Sequence, residues 1–217
     1  MVSWLIDDIQ DRIDPKQFGC LKGTPTTYCL LDMINTWHSW LDTPGNHLRL
    51  CFLDFAKAFD RIGHNVLIVK LIDLGVRRSL IPWIINFLSN RRRRVKLGDT
   101  ISNCIVASKP GPILFLVMIN DLKVISHGTD IWKFVDDISA SERLVRNGSS
   151  DVQSNLHSIT SRSSENFMKL NSMKCKELRV CFLRETPELL PLVINGQILE
   201  LVHSHKVLGL IIQSNLK

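Results

Sequence analysis

Ile131-Trp132-Lys133-Phe134-Val135-Asp136-Asp137 joins an apolar, aromatic run to two adjacent carboxylates, and Ile138 to Ser141 resumes the pattern behind them. The alternation predicts a hairpin with acids at its tip. Neighbouring carboxylates repel each other and gain nothing from burial, so the pair suits a cation held between them. Mg²⁺ is the hard cation that fits carboxylate oxygens. Aspartate is also common in plain polar turns, and the doublet alone leaves both readings open. Far upstream, a similar run beginning at Leu48 ends on Asp54, a third carboxylate that would complete a site for two metal ions.

The flanking elements decide whether these acids meet. Leu48 to Phe55 reads as a strand, nearly all apolar and covered on both faces. A helix from about Asn65 to Leu74 stops at Gly75, and another starts near Ser79 with Pro82 in its first turn. Arg91 to Leu97 and Ile101 to Val106 form two strands turning at Gly98-Asp99, and Pro110-Gly111-Pro112 opens a helix to about Leu122. After the acidic hairpin comes a long amphipathic helix, roughly Asp151 to Leu170, with Leu156, Ile159, Phe167 and Leu170 inward, then a strand from Leu178 to Leu183. Asn195-Gly196 is a hairpin signal, and a last strand runs from about Lys206 to Ile212. Before the first strand stand a helix from Val2 to Ile13 and a second one capped by Thr26 or Thr27, carrying Leu30, Leu31, Ile34, Trp37 and Leu41 inward and broken at Pro44-Gly45-Asn46.

With the Arg91 to Val106 hairpin set aside, the central order is β-α-β-β-α-β, the ferredoxin-like split βαβ. The fold class is therefore α+β. A right-handed helical crossover makes the first and second strands parallel. The end of the first strand then shares a sheet edge with the turn after the second. Topology brings Asp54, Asp136 and Asp137 together.

Composition bounds the rest. At 217 residues and 45% hydrophobic, the chain buries one sizeable core, and a net charge of +6 admits a polyanionic partner without proving one. Six cysteines lack any C-x-x-C spacing and read as buried thiols of a reducing compartment. His203 and His205 alternate as on a strand but lack further metal ligands. Asp7 and Asp8 fall where a secretory signal needs an apolar core, and the longest apolar stretch, Ile113 to Ile119, is too short to span a membrane. The expectation is an intracellular chain of cytoplasm or nucleus, with no membrane partner and an open oligomeric state.

Taken together, Phe52-Leu53-Asp54-Phe55-Ala56-Lys57-Ala58-Phe59-Asp60 with His64, Gly111-Pro112-Ile113-Leu114-Phe115 with Ile119-Asn120-Asp121-Leu122, and Phe134-Val135-Asp136-Asp137 are similar to reverse transcriptases of non-LTR (LINE-type) retrotransposons. Gln17-Phe18-Gly19 with Lys22-Gly23 and Thr26-Thr27 looks like the segment before the palm in that family. Leu170-Asn171 with Lys174-Cys175, and His205-Lys206-Val207-Leu208-Gly209, resemble its two later palm motifs.

The resemblance implies a right-hand palm with partial fingers and no thumb. Residues 1–47 would be residual fingers and helical lead-in, 48–183 the palm core, and 184–217 its C-terminal hairpin region. It implies RNA-directed DNA polymerisation on an RNA template and DNA primer with dNTPs. Asp54, Asp136 and Asp137 would hold two Mg²⁺ or Mn²⁺ ions, with the Phe55 carbonyl as an added ligand. Phe59 matches the aromatic that selects deoxynucleotides, where spacing alone equally allows a core aromatic. Lys174 matches a lysine that protonates departing pyrophosphate, and taken alone it is a surface lysine. Leu208 and Gly209 match a turn that supports the primer, or form a plain hairpin. Arg91, Arg92, Arg93 and Arg94 would contact phosphates, or simply face solvent. The family's Pro-Gln-Gly loop is missing: Cys104 to Pro112 runs through without Gln-Gly and is several residues short, and Leu21 replaces a usual basic residue. Metal ligands look intact while the substrate cradle does not. The competing readings are thus an impaired polymerase, a non-catalytic nucleic-acid-binding remnant, and an inactive relic.

Overall fold

The computed structural model describes residues 2–216 other than 61, 90, 91, 104, 107–110, 147, 185 and 186. In chain order the elements are α1 (Val2–Ile9), α2 (Thr26–Leu41), β1 (His47–Leu53), α3 (His64–Asp73), α4 (Ile81–Leu88), β2 (Arg92–Arg93), β3 (Lys96–Leu97), β4 (Thr100–Ile101), β5 (Ile105–Val106) and α5 (Pro112–Ile119). They continue with β6 (Thr129–Phe134), β7 (Asp137–Leu144), α6 (Val152–Glu165), β8 (Lys176–Val180), β9 (Val193–Ile194), β10 (Gln197–Ile198), β11 (Glu200–Val202), β12 (Ser204–Val207) and β13 (Leu210–Gln213).

The central sheet has the order β11-β8-β1-β7-β6. Without β11 this is the ferredoxin-like arrangement, with the first strand between the third and the fourth. Every residue of β1 is buried, and its alternation shows why. Leu48, Leu50 and Phe52 face α2, where Cys29, Met33 and Trp37 recur at a spacing of four along one helical face. Cys51 and Leu53 face the other layer, with Leu67 and Leu71 of α3, Leu156 and Ile159 of α6, and the fully apolar α5. Trp37 fixes the α2 layer by donating its indole N–H to Ser141 Oγ on β7 at 2.9 Å.

Several expectations hold. Gly75 ends α3 at φ +74°, and Asn195-Gly196 turn with φ +53° and +76°, as a two-residue hairpin loop requires. The basic hairpin turns at Gly98-Asp99, although its ladder splits into β2–β5 and β3–β4.

Others are corrected. The first helix stops at Ile9 and continues only as a 3₁₀ turn over Gln10–Arg12. Neither Thr26 nor Thr27 caps α2: Pro25 stands at the cap position with extended backbone, and Thr26 is the first helical residue. Phe167 does not face inward. Asn166 closes α6, and Phe167 at φ +60° swings out to 66% exposure over Gly63, leaving Met168 and Leu170 as the buried pair. The last strand is not continuous but a hairpin: Leu208 and Gly209 at φ +48° and +95° reverse the chain between β12 and β13, in agreement with the turn read at those two residues. Among the described residues, no helix is long and apolar enough to cross a membrane.

Candidate active site

Strand β7 pairs antiparallel with both β1 and β6, so β1 and β6 run parallel. The C-terminal end of β1 and the β6–β7 turn therefore share one sheet edge, as the element order predicts. Leu53 pairs with Ile138, which sets Asp54, one residue further on, beside Asp137. Phe134 pairs with Asp137, so the turn consists of Val135 and Asp136. Val135 sits at φ +58°, a region that a β-branched residue seldom enters.

A cleft of about 400 Å³ opens at this edge. Asp54, Asp137, Lys174, Lys176, His205, Lys206 and Leu208 are among the residues that line it. The loop before β8 grips Asp54 by its backbone: its N–H donates to Cys175 Sγ at 3.4 Å and its carbonyl accepts the Asn171 N–H at 2.8 Å. The Asp54 side chain is far less satisfied. Among the described residues its Oδ2 is buried with no hydrogen-bond partner, and Lys174 Nζ lies 3.8 Å from it as an ion pair. The Asp137 carboxyl is held above the ordinary range by burial, then by the charges of Asp136 and Asp54. Burial and like charge thus both oppose ionisation of Asp137.

Asp136 is placed differently. It is not among the residues lining the cleft, and its charge helps to raise the half-buried thiol of Cys20, after burial itself. Among the described residues, no three His, Cys, Asp or Glu side chains stand as a ready-made metal site. The donor set still suits a hard divalent ion: every acid here offers only carboxylate oxygens, one of them buried and without a hydrogen bond among the described residues.

The His205 ring also lines the cleft and stacks on Phe52 with centroids 4.4 Å apart and planes 18° apart. Burial and the nearby Lys176 keep it below the usual histidine range. Lys176 donates to Glu200 Oε2 at 2.5 Å, which leaves Lys174 and Lys206 as the less committed cations of the cleft.

The aromatics implied by the resemblance pack inward. Phe55 is buried edge-on against Phe115 at 6.1 Å, and Phe59 lies partly buried 4.9 Å from the same ring. Leu208 and Gly209 form the β12–β13 tip, and Leu208 lines the cleft. Of the arginine run, Arg91 lies outside the described residues, as do the side chains of Arg92 and Arg93, and Arg94 is exposed. The shortened loop falls largely at residues 104 and 107–110, also outside the described residues.

Three contributors escaped the sequence reading. His205 had its strand alternation and its place in the His205 to Gly209 run as signals, but neither gives its ring a role at the cleft. Lys133 is wholly buried: its Nζ meets Asp14 Oδ2 at 2.7 Å and donates to the carbonyls of Ile119, Asn120 and Leu122 at 3.3, 3.3 and 3.0 Å. Burial lowers its pKa, and Asp14 opposes the shift. A lysine between aromatics in a strand covered on both faces is a signal for such a buried partner. Gly19, the third, packs directly on the acidic turn.

A family model described as reverse transcriptase (RNA-dependent DNA polymerase) matches residues 2–212. No curated protein matches the sequence. Among solved structures, apo telomerase from Candida tropicalis, truncated from its C-terminal domain, aligns over 100% of this chain and 44% of its own, with a TM-score of 0.64 at 11% identity. Telomerase from Candida albicans in complex with a TWJ fragment of telomeric RNA aligns over 98% of this chain and 36% of its own, with a TM-score of 0.61 at 13% identity. The corresponding Candida tropicalis complex aligns over 82% and 34%, with a TM-score of 0.59 at 12% identity. At these identities the likeness is one of fold, and the chain spans less than half the length of these neighbours.

Proposed function

Because the chain belongs to the reverse transcriptase family, we propose that the cleft between Asp54 and Lys174 is a nucleotidyl-transfer site of LINE-type descent, impaired in this chain. The palm core in this reading is residues 48–183, preceded by residual fingers and followed by the C-terminal hairpins. The observation that carries it is the buried Asp54 Oδ2, which accepts no hydrogen bond among the described residues and faces Lys174 Nζ at 3.8 Å, beside Asp137, whose protonation is favoured by burial and then by the charges of Asp136 and Asp54.

Asp54 and Asp137, with Asp136 on the adjoining turn, would hold two Mg²⁺ or Mn²⁺ ions. Bound there, such ions lower the pKa of a primer 3′-hydroxyl and neutralise a triphosphate. Lys174, 3.8 Å from Asp54, is in reach to deliver a proton to a departing pyrophosphate. Leu208 at the hairpin tip supports the primer strand, and Phe59 backs the sugar from its seat on Phe115. The arginine run from Arg91 to Arg94 meets the phosphates of an RNA template paired to a DNA primer. The RNA bound by the neighbouring telomerase complex supports this choice of partner.

Impairment follows from the missing Gln-Gly. Phosphoryl transfer depends on positioning and charge stabilisation. A displacement near 1 Å forfeits about a hundredfold in rate. The same loss favours the second reading, a nucleic-acid-binding remnant without catalysis.

Purified protein tests both. Mn²⁺ binding in the millimolar range is expected, absent in Asp54→Asn and Asp137→Asn, with little or no extension of a primed RNA template. Without metal, Asp137→Asn should raise Tm by less than about 4 °C, because it relieves repulsion at a partly exposed site worth roughly 0–1 kcal/mol. Robust extension abolished by Asp136→Asn would refute impairment. No Mn²⁺ uptake by the unmodified chain would refute the metal site.

A further inference from the structure

The acidic turn is held by a segment outside the palm motifs. Val135 keeps φ +58°, a strained value for a β-branched residue, and persists there only if surrounding contacts over-determine it. Val135 packs against the main core on one side, and residues 14–20 supply further contacts on β6 and the turn. The Lys133 N–H donates to the Lys16 carbonyl at 2.9 Å and the Phe18 N–H donates to the Lys133 carbonyl at 2.8 Å, so this segment pairs with the outer edge of β6. Two residues further on, the Gly19 backbone lies directly on the turn. A Cβ at Gly19 would stand 2.5 Å from Val135 N, 2.6 Å from Val135 Cγ2 and 3.1 Å from the Phe134 carbonyl carbon. Such separations are well inside van der Waals contact, and two of the three atoms are backbone, which no rotamer change can move.

We propose that Gly19 is a positioning residue for the acidic turn: it lets the lead-in backbone brace Val135 and thereby sets where Asp136 and Asp137 stand. The inference rests on the reading of those acids as holders of a divalent ion. The brace itself is anchored away from the cleft. Asp14 pairs with buried Lys133 at 2.7 Å, and Lys16 pairs with Asp32 at 2.6 Å while lying 4.8 Å above the Trp132 ring. The β1–β7 and β1–β8 ladders contain none of these residues. Displacing the brace should therefore move the acids while leaving the core sheet in place.

The test uses the full chain with Gly19→Ala, Val135→Gly and the double substitution. Val135→Gly removes Cγ2 and makes φ +58° free of steric cost, so the turn can yield to an added Cβ. Mn²⁺ affinity is read by water-proton relaxation, amide exchange by NMR, and Tm by circular dichroism. For Gly19→Ala the expected results are at least a tenfold loss of Mn²⁺ affinity and at least tenfold faster exchange at Phe18 and Lys133. Exchange at Leu50 and Leu178 should be unchanged, and the double variant should regain any lost Tm but only part of the affinity, because the Val135 nitrogen and the Phe134 carbonyl carbon still meet the added Cβ and the turn yields.

A merely structural glycine would instead lower Tm and quicken exchange across the whole sheet, which overturns the proposal. So does an unmodified exchange rate at Lys133 in Gly19→Ala. If Gly19→Ala fails to fold, the double variant decides: folding supports the coupling of positions 19 and 135, and failure overturns it. If the unmodified chain takes up no Mn²⁺, the metal reading falls, and the amide-exchange comparison still judges the brace.

Discussion

Replacing Lys133 by methionine should be among the most damaging single changes to this fold. The ammonium group is wholly buried and serves four acceptors at once: the Asp14 carboxylate and the carbonyls of Ile119, Asn120 and Leu122. Methionine replaces much of the volume but donates nothing, which leaves a carboxylate at 9% exposure without its counter-ion. Breaking a buried pair from one side costs about 3–5 kcal/mol. For a chain of this size that is roughly a 6–20 °C fall in Tm. Urea denaturation followed by circular dichroism measures it directly. The mechanism makes a second, sharper demand: adding Asp14→Asn removes the stranded charge, so the double variant should be less destabilised than the two single effects added together, by about 1–3 kcal/mol. A destabilisation below about 1 kcal/mol for Lys133→Met would show that water replaces the ammonium and that the site is not dry. Additive single effects would refute the pairing.

Two further outcomes follow from single groups. His47 is 3% exposed, its ring nitrogens meet no partner at full hydrogen-bond geometry among the described residues, and burial holds it below the usual range against a smaller opposing, poorly aligned hydrogen bond with the Gly45 backbone. The unfolded chain therefore takes up the proton first: the stability that the neutral ring contributes is full above about pH 6.5 and is lost as pH falls from there toward the lower native value, so His47→Leu should flatten the Tm–pH curve in that window. Replacing Arg91 to Arg94 with serine should flatten the salt dependence of duplex binding, by about 0.9 in log–log slope for each DNA phosphate that the run neutralises, and an unchanged slope in a filter-binding titration would assign the run to solvent.

The sheet was legible because its signals are local and agree. The apolar run from Leu48 to Leu53 is too continuous for a one-sided strand, and β1 is buried on both faces. Asn195-Gly196 and Gly75 specify positive φ by their chemistry. Where local chemistry misled, a tertiary contact decided. Phe167 fits the inward face of α6 by spacing, but the chain reverses at Phe167 itself, and its ring finds the bare backbone of Gly63. Leu208 fits a continuous strand by hydrophobicity, yet takes φ +48° because Gly209 follows and Val207 and Ile212 must both reach the α2 layer.

The candidate site divides along the same line. That Asp54 meets the β6–β7 turn is a property of strand order, and order is written in the succession of elements. How the acids are held is not. Val135 carries no local preference for a left-handed turn, and Gly19 reads as an ordinary loop glycine until the 2.5 Å approach to Val135 N is seen. Lys133 looks like a flaw in a strand until Asp14, far away in sequence, supplies its charge. Each of these residues acts through a partner distant along the chain, so no window of neighbouring residues contains the information. All of them converge on β6 and the turn after it, the one element whose acids repel one another and whose backbone is strained. A turn disfavoured twice, by charge and by conformation, has to be imposed from outside. The lead-in segment from Asp14 to Cys20, part of which the resemblance places before the palm, pairs with Lys133, packs on Val135 and lies close enough to Asp136 for its charge to reach Cys20.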